Sequence, residues 1–155
     1  MAIEKVREYF KKYDMEDRIR EFAVSSANVE LAAEALHCEP CRIAKSLSFQ
    51  VNGNPILVVA AGDVKVDNAK YKAKFGTKAK MLTVEEVEAM IGHAVGGVCP
   101  FGLPEGIGVY LDESLKRHAM VFPAAGTPSS AVGFEPDALA AATDGQWVYV
   151  TKDPE

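Results

Sequence analysis

The sequence is short of cysteine, of long apolar runs and of positive charge, and each shortage removes a class of protein. Three cysteines in 155 residues (Cys38, Cys41, Cys99) are too few, and odd in number, for a disulfide framework, which accords with a reducing compartment. No apolar stretch approaches the roughly 20 residues that span a bilayer, so no membrane partner is expected. The opening MAIEKVREYFKKYDMEDR is charged throughout and lacks the apolar core of a secretion signal, so a cytoplasmic protein is expected. Seventeen Lys and Arg stand against 22 Asp and Glu, a net charge of −5, which argues against general nucleic-acid affinity. Internal repeats, low-complexity tracts and long linkers are missing too. What remains is 48% apolar and 25% charged, an ordinary globular composition. Residues 1–155 therefore read as one domain, long enough to bury a core without metal or disulfide staples.

The charge is unevenly placed. Between Lys65 and Lys80 lie six lysines (Lys65, Lys70, Lys72, Lys74, Lys78, Lys80) and a single acid, Asp67, so this stretch carries +5 and the remainder −10. An acidic body with one basic segment suits a protein that touches a polyanion at one place. A solvated lysine-rich helix face is the plainer reading of the same residues.

Ile3, Val6, Phe10 and Tyr13 at helical spacing predict a first amphipathic helix over 2–13. Ser26 or Asn28 can cap a second, with Val29, Ala32, Ala33 and Leu36 inward and Pro40 ending it. Residues 42–51 alternate strictly, and Asn52-Gly53-Asn54 turns them into a second apolar strand, Ile56–Ala61. Asp67 or Asn68 then starts the lysine-bearing helix, which Gly76 closes. A strand at 78–82 leads to a capping box, Thr83-Val84-Glu85-Glu86, and a helix to Ile91 with Gly92 past its end. After an irregular loop, 92–106, strands are expected at 107–111, 118–123 and 130–134, a helix from Pro136 through Ala142, and a last strand at Trp147–Val150. Short helices among hairpin-like strands, without regular βαβ alternation, predict an α+β fold on a mixed, largely antiparallel sheet.

Two features of this outline bear chemistry. In the strand 42–51 one face carries Arg42, Ala44, Ser46, Ser48 and Gln50 and is mostly polar; the other carries Ile43, Lys45, Leu47, Phe49 and Val51. Lys45 is the one charge on that apolar row. An unpaired buried ammonium costs several kcal/mol, so the position implies either a partner or task for the charge, or a stem that snorkels to water. The second feature is the loop His93 to Gly102, with three glycines and a proline within 96–102. Glycines let backbone N–H groups approach an anion or a polarised carbonyl, and such donors can form an oxyanion-type site. The loop matches neither GxGxxG nor a P-loop.

Other constellations lead nowhere. Cys38-Glu39-Pro40-Cys41 has CxxC spacing beside His37, but no second CxxC or HxxxH completes a zinc site, and the βαβ context of a thioredoxin-like motif is absent. Packed thiols are the simpler reading. His37, His93 and His118 belong to no nucleophile motif and there is no GxSxG, so a hydrolase built on this chain would lack a side-chain triad.

Several segments taken in order resemble one family. Ile43-Ala44-Lys45-Ser46-Leu47, Ala61-Gly62-Asp63, Gly96-Gly97-Val98-Cys99-Pro100, Val109-Tyr110-Leu111-Asp112 and Ala125-Gly126 look like the YbaK/EbsC family, related to the editing domain inserted in bacterial prolyl-tRNA synthetases. The similarity runs from about residue 25 to the C-terminus. It implies a barrel-like sheet flanked by short helices, and a free-standing deacylase acting on mischarged tRNA, typically tRNA for proline carrying a small non-cognate residue. Lys45 matches the family's strand lysine, which is thought to hold the terminal adenosine or polar groups of the substrate. Gly96 through Pro100, with Gly97, Val98 and Cys99 between, match its GxxxP loop, whose backbone positions the aminoacyl carbonyl. Catalysis in the family is substrate-assisted, which implies no metal or cofactor. Ser46, Asp63, Gly126, Ser129 and Ser130 are the expected substrate contacts, and Lys65, Lys70, Lys72 and Lys74 the expected contacts to tRNA phosphates. Mischarged aminoacyl-tRNA is the implied partner, with prolyl-tRNA synthetase as a second. Ala124 and Ala131 stand where some members carry a serine and an acidic residue or histidine. That departure keeps open a non-catalytic module of the same fold that binds aminoacyl-tRNA, an aminoacyl-adenylate or a synthetase.

Overall fold

In the computed structural model, residues 2–11, 19–21, 29–36, 38–92, 98–101, 103–104, 106–125 and 130–152 are described. The expected cap residues Ser26 and Asn28, and the expected site residues Gly96, Gly97, Gly126 and Ser129, lie outside them, as do His37 and His93.

The longest pairing is the one with the strongest local signal. Asn52 and Gly53 both take positive φ (52° and 84°), the geometry of a two-residue hairpin turn. They join β2 (Ile43–Val51) to β3 (Asn54–Ala61), in register from Ala44 opposite Ala61 to Val51 opposite Asn54. This hairpin is the middle of a five-stranded sheet. Beyond β2 lies β6 (Phe122–Pro123); beyond β3 lie β5 (Gly108–Asp112) and β8 (Gln146–Val148), each parallel to its neighbour. Two small antiparallel ladders complete the strands: β1 (Ile19–Glu21) with β7 (Ser130–Val132), and β4 (Lys65–Val66) with β9 (Thr151–Lys152). The result is a mixed α+β fold with a curled sheet, antiparallel along its long central hairpin and in the two small ladders and parallel at its three other pairings, with short flanking helices.

The helices follow the signals in the sequence. Helix α1 is Ala2–Lys11 and α2 is Val29–Leu36. In α3 (Asn68–Phe75) the Asp67 side chain accepts from the Lys70 N–H at 3.0 Å, and Gly76 ends the helix at φ 76°. Those backbone N–H bonds hold the Asp67 carboxyl below its ordinary pKa. The capping box at Thr83 and Glu86 closes in both directions and opens α4, Val84–Glu86 continued by a π turn, Val87–Ile91. Helix α5 is Pro136–Thr143.

Some expectations need correcting. No strand forms over 78–82; one antiparallel bridge, Met81 to Phe49, stands in its place. The segment after β5 is a 3-10 helix, Glu113–Arg117, so the next strand begins later than 118. Of the expected last strand, 147–150, only Trp147 and Val148 are in a strand, β8; β9 follows beyond it, and β1 and β4 were not foreseen. The alternation in β2 separates two buried faces rather than a wet and a dry one. Ala44, Val59 and Ala61 join a cluster with Val6, Phe101, Leu111, Leu115 and Phe134. On the other face Phe49, Ile56 and Val58 pack with Tyr71, Val148 and Val150. Ser48 on the polar row is buried as well.

Candidate functional site

Lys45 lies on the apolar face as its position in the alternation requires. Its strand partner is Ala60, whose single methyl leaves room for the lysine stem. The ammonium does not reach far: Nζ donates to the backbone carbonyl of Val64, just past the end of β3. A charge-assisted bond of this kind offsets part of the cost of moving the ammonium out of water.

The turn that supplies this carbonyl is itself tied down. Asp63 faces Arg117, whose Nη2 lies 2.6 Å from Oδ1 and Nη1 3.4 Å from Oδ2, and the same guanidinium donates through Nε to the Ser114 carbonyl at 3.0 Å. The Ser114 hydroxyl accepts the Ala61 N–H at 3.1 Å. Ser114 in turn is set by Asp112, which is fully buried. One carboxylate oxygen of Asp112 accepts from the Ser114 N–H (2.9 Å) and the Thr151 hydroxyl (2.6 Å), and the other from the Val150 N–H (2.8 Å). A continuous set of directional bonds thus runs from the C-terminal strand through Asp112, Ser114 and Arg117 to the Asp63–Val64 turn and Lys45. Asp63 is therefore an anchor for the turn.

The loop after α4 approaches the same place. Cys99 and Phe101 belong to the cluster that holds Ala44, Ala60, Ala61, Val64 and Ala125, so the proline end of the loop and the base of Lys45's strand share one core. Pro100 is buried and Val98 half-buried. The Cys99 thiol lies fully inside, 3.7 Å from the Phe101 carbonyl, and burial pushes its pKa up to about 12. A thiol so placed is a packing group and no nucleophile. Parallel pairing of Ala44 with Pro123 brings Ala124 and Ala125 alongside Lys45. Ala124 bridges Ala131, so the two positions that depart from some family members are direct partners. Ser130, next to Ala131, is buried. The Ser46 hydroxyl points to the opposite side of β2, where its oxygen is buried without a hydrogen-bond partner.

The lysine segment divides. Lys65, Lys72 and Lys74 are exposed, whereas Lys70 donates to the Thr151 carbonyl at 2.8 Å and sits 3.7 Å from the centroid of the Tyr149 ring. Burial raises the pKa of both Cys38 and Cys41. Among the described residues no three His, Cys, Asp or Glu side chains gather as metal ligands.

The residues that sequence reasoning missed are Val64, Asp112, Ser114 and Arg117. Val64 acts through its backbone, which no residue type announces. The others act through partners 38 to 54 positions away, at spacings no periodicity marks.

Comparison with known proteins places this geometry. Residues 24–142 match the aminoacyl-tRNA editing domain family. The chain is 48% identical, over the whole of both chains, to the uncharacterized protein YwhH of Bacillus subtilis (strain 168). It is 31% identical to a protein of Enterococcus faecalis named "Putative Cys-tRNA(Pro)/Cys-tRNA(Cys) deacylase EbsC", over 84% of this chain and 82% of that one. A solved structure described as a "putative trans-editing enzyme for prolyl tRNA synthetase" superposes with a TM-score of 0.89 at 28% identity, covering 97% of each chain. The chain therefore belongs to the aminoacyl-tRNA editing domain family, in its YbaK/EbsC branch, kin to the editing domain of proline–tRNA ligases.

Proposed function

We propose that this chain hydrolyses mischarged aminoacyl-tRNA in trans, with tRNA for proline bearing a small non-cognate amino acid as its substrate. The observation that carries the reading is the Lys45 ammonium, held at the end of an apolar row on the carbonyl of Val64, a residue of the core that also contains Cys99 and Phe101. The names of the relatives point to the same substrate class, and such a substrate places the protein in the cytoplasm, with prolyl-tRNA synthetase as a second partner.

An aminoacyl ester is already activated, so orientation and a few donors suffice. Water, oriented by the ribose 2′-hydroxyl, forms a bond to the ester carbonyl carbon as the C=O π pair moves onto the carbonyl oxygen, which backbone N–H groups of 96–99 receive. The oxyanion then re-forms the C=O bond, the bond to the ribose 3′-oxygen breaks, and that oxygen leaves with the proton given up by the water. Lys45 holds the terminal adenosine or the substrate's polar groups by charge-assisted hydrogen bonding. The inert Cys99 thiol agrees with chemistry that uses no side-chain nucleophile. Ser130 is assigned to the aminoacyl moiety, and Lys65, Lys72 and Lys74 to phosphates of the tRNA acceptor end.

The Ala124–Ala131 pair favours a second reading, a binding module, since neither methyl supplies a polar group to the turn. Deacylation measured across a panel of mischarged tRNAs separates the two. Turnover of an alanyl or cysteinyl ester on tRNA for proline is the expected result; absence of turnover on every member overturns the hydrolase reading in favour of the module.

A further inference from the structure

Tyr149 is 60% exposed, the most exposed of the large apolar side chains among the described residues. It is also held still. The Lys70 ammonium sits 3.7 Å from the ring centroid and is itself fixed by the Thr151 carbonyl at 2.8 Å, so one face of the ring is occupied and the exposed area belongs to the rest. Around it the charge is positive. Lys65 and Lys152 are direct partners across β4 and β9, and both are exposed. Among the described residues, the carboxylates that act on Lys70 are both engaged, Asp67 in capping α3 and Asp112 in its buried bonds to Ser114, Val150 and Thr151. Two lysines opposite one another on an edge pair repel, which a bound polyanion would relieve. The patch also continues into the candidate site, because Lys65 directly follows Val64, the residue whose carbonyl holds Lys45. Continued along the β4–β9 register, Tyr149 falls about four residues from Val64, ~13 Å at strand spacing.

We propose that the β4–β9 edge and Tyr149 form a stacking platform for an unpaired base at the single-stranded 3′ end of a tRNA, with Lys65 and Lys152 on the adjoining phosphates. The inference rests on the reading of the chain as a tRNA-dependent deacylase and deepens it by assigning a base contact outside the ester site. An immobilised ring with an open face beside paired lysines is the combination that binds single strands without reading sequence. A duplex offers no free base face to such a ring.

The test is binding of uncharged tRNA, and of the same tRNA trimmed of its unpaired 3′ nucleotides, titrated at several salt concentrations. Tyr149→Ala is expected to weaken binding of intact tRNA by roughly 5- to 150-fold, the range for single base–aromatic stacks. Tyr149→Phe is expected to bind as the parent does. Trimming the 3′ nucleotides is expected to abolish the difference between parent and Tyr149→Ala. Lys65→Ala and Lys152→Ala are each expected to lower the salt slope by about one. Unchanged binding by Tyr149→Ala overturns the proposal, and so does an equal loss on trimmed tRNA, which would place the contact on the stem. Because uncharged tRNA is the probe, the two readings fail separately. Tyr149-dependent binding without turnover on the panel sinks the hydrolase and spares the platform; turnover with Tyr149-independent binding does the reverse.

Discussion

β2 and β3 pass through two unlike environments on a single face of the sheet. Near the turn, Phe49 packs at 5.1 Å (ring centroids) on Tyr71, Tyr71 at 4.6 Å on Phe75, and Phe75 edge-on at 5.0 Å to Tyr110. At the other end Lys45 faces Ala60, and the register carried one strand further reaches Asp112, about 10 Å from Lys45 at the usual strand spacing. The first end is held by area and ring geometry, which tolerate exchange among large apolar residues. The second is held by directional bonds with named donors and acceptors, where one deletion strands several groups. A site that must keep an ammonium and a set of amides in place needs the second kind of support. The contrast therefore separates residues that hold the sheet together from residues that fix the lysine at its end.

The sharpest break in that comparison is at Lys45. Lys45→Ala, and Lys45→Met, which keeps most of the stem without the charge, are expected to lower deacylation kcat/KM by on the order of 10²–10³. Stability in the same variants should change by no more than about 1–2 kcal/mol. Activity at the parent level in either variant would remove the lysine from the mechanism. Next comes Asp112. Asp112→Ala leaves the Ser114 N–H, the Val150 N–H and the Thr151 hydroxyl without their acceptor in a fully buried place. The expected cost is on the order of 3–5 kcal/mol. That corresponds to a fall of roughly 6–20 °C in Tm for a domain of this size, read by thermal unfolding. A fall of under ~2 °C would show that the carboxylate network does not bind β9 to the sheet.

The two ends also differ in how far they could be read from sequence. The hairpin, the Asp67 cap, the Gly76 stop and the Thr83–Glu86 box rest on neighbouring residues, and so does the alternation that singled out Lys45. The ladders that join distant segments leave no such trace. β1 and β7 pair across more than a hundred residues, and β4 and β9 are two residues long, below the length at which a period of two is visible. The strands beside the hairpin were expected but their parallel pairing with it was not, since the helices between them do not alternate regularly with strands. The polar row of β2 misled because small residues such as Ala44 and Ser48 fit equally well under a packed layer and at a surface. For the site, the sequence named the lysine and the loop; the carbonyl that holds the lysine, and the guanidinium and carboxylate behind it, are defined only once the chain has folded.

Arg117 tests whether the bond network serves position rather than stability. Its side chain is 41% exposed and that of Asp63 32% exposed, so the ion pair is worth no more than about 1 kcal/mol to the fold. Arg117→Ala is nevertheless expected to reduce kcat/KM several-fold, because the turn that presents the Val64 carbonyl loses its clamp. Arg117→Lys keeps the charge without the two-pronged fork and should fall between. Equal activity in all three, with Lys45 still essential, would mean that the strand alone places the ammonium.

The smallest effect is expected at the aromatic end, with the opposite sign. Tyr71 is fully buried, and its hydroxyl has no hydrogen-bond partner. Burial raises the pKa of that hydroxyl, with Tyr110 adding to the shift, so the group is neutral and the penalty is one of lost hydration. Tyr71→Phe removes the oxygen and keeps the ring on Phe49 and Phe75. It is expected to leave deacylation unchanged and to raise stability by up to about 1 kcal/mol, a gain of ~2–4 °C in Tm. A loss of stability would mean that the hydroxyl finds an acceptor in solution. The aromatic end would then depend on directional bonds as the lysine end does, and the division drawn between them would no longer hold.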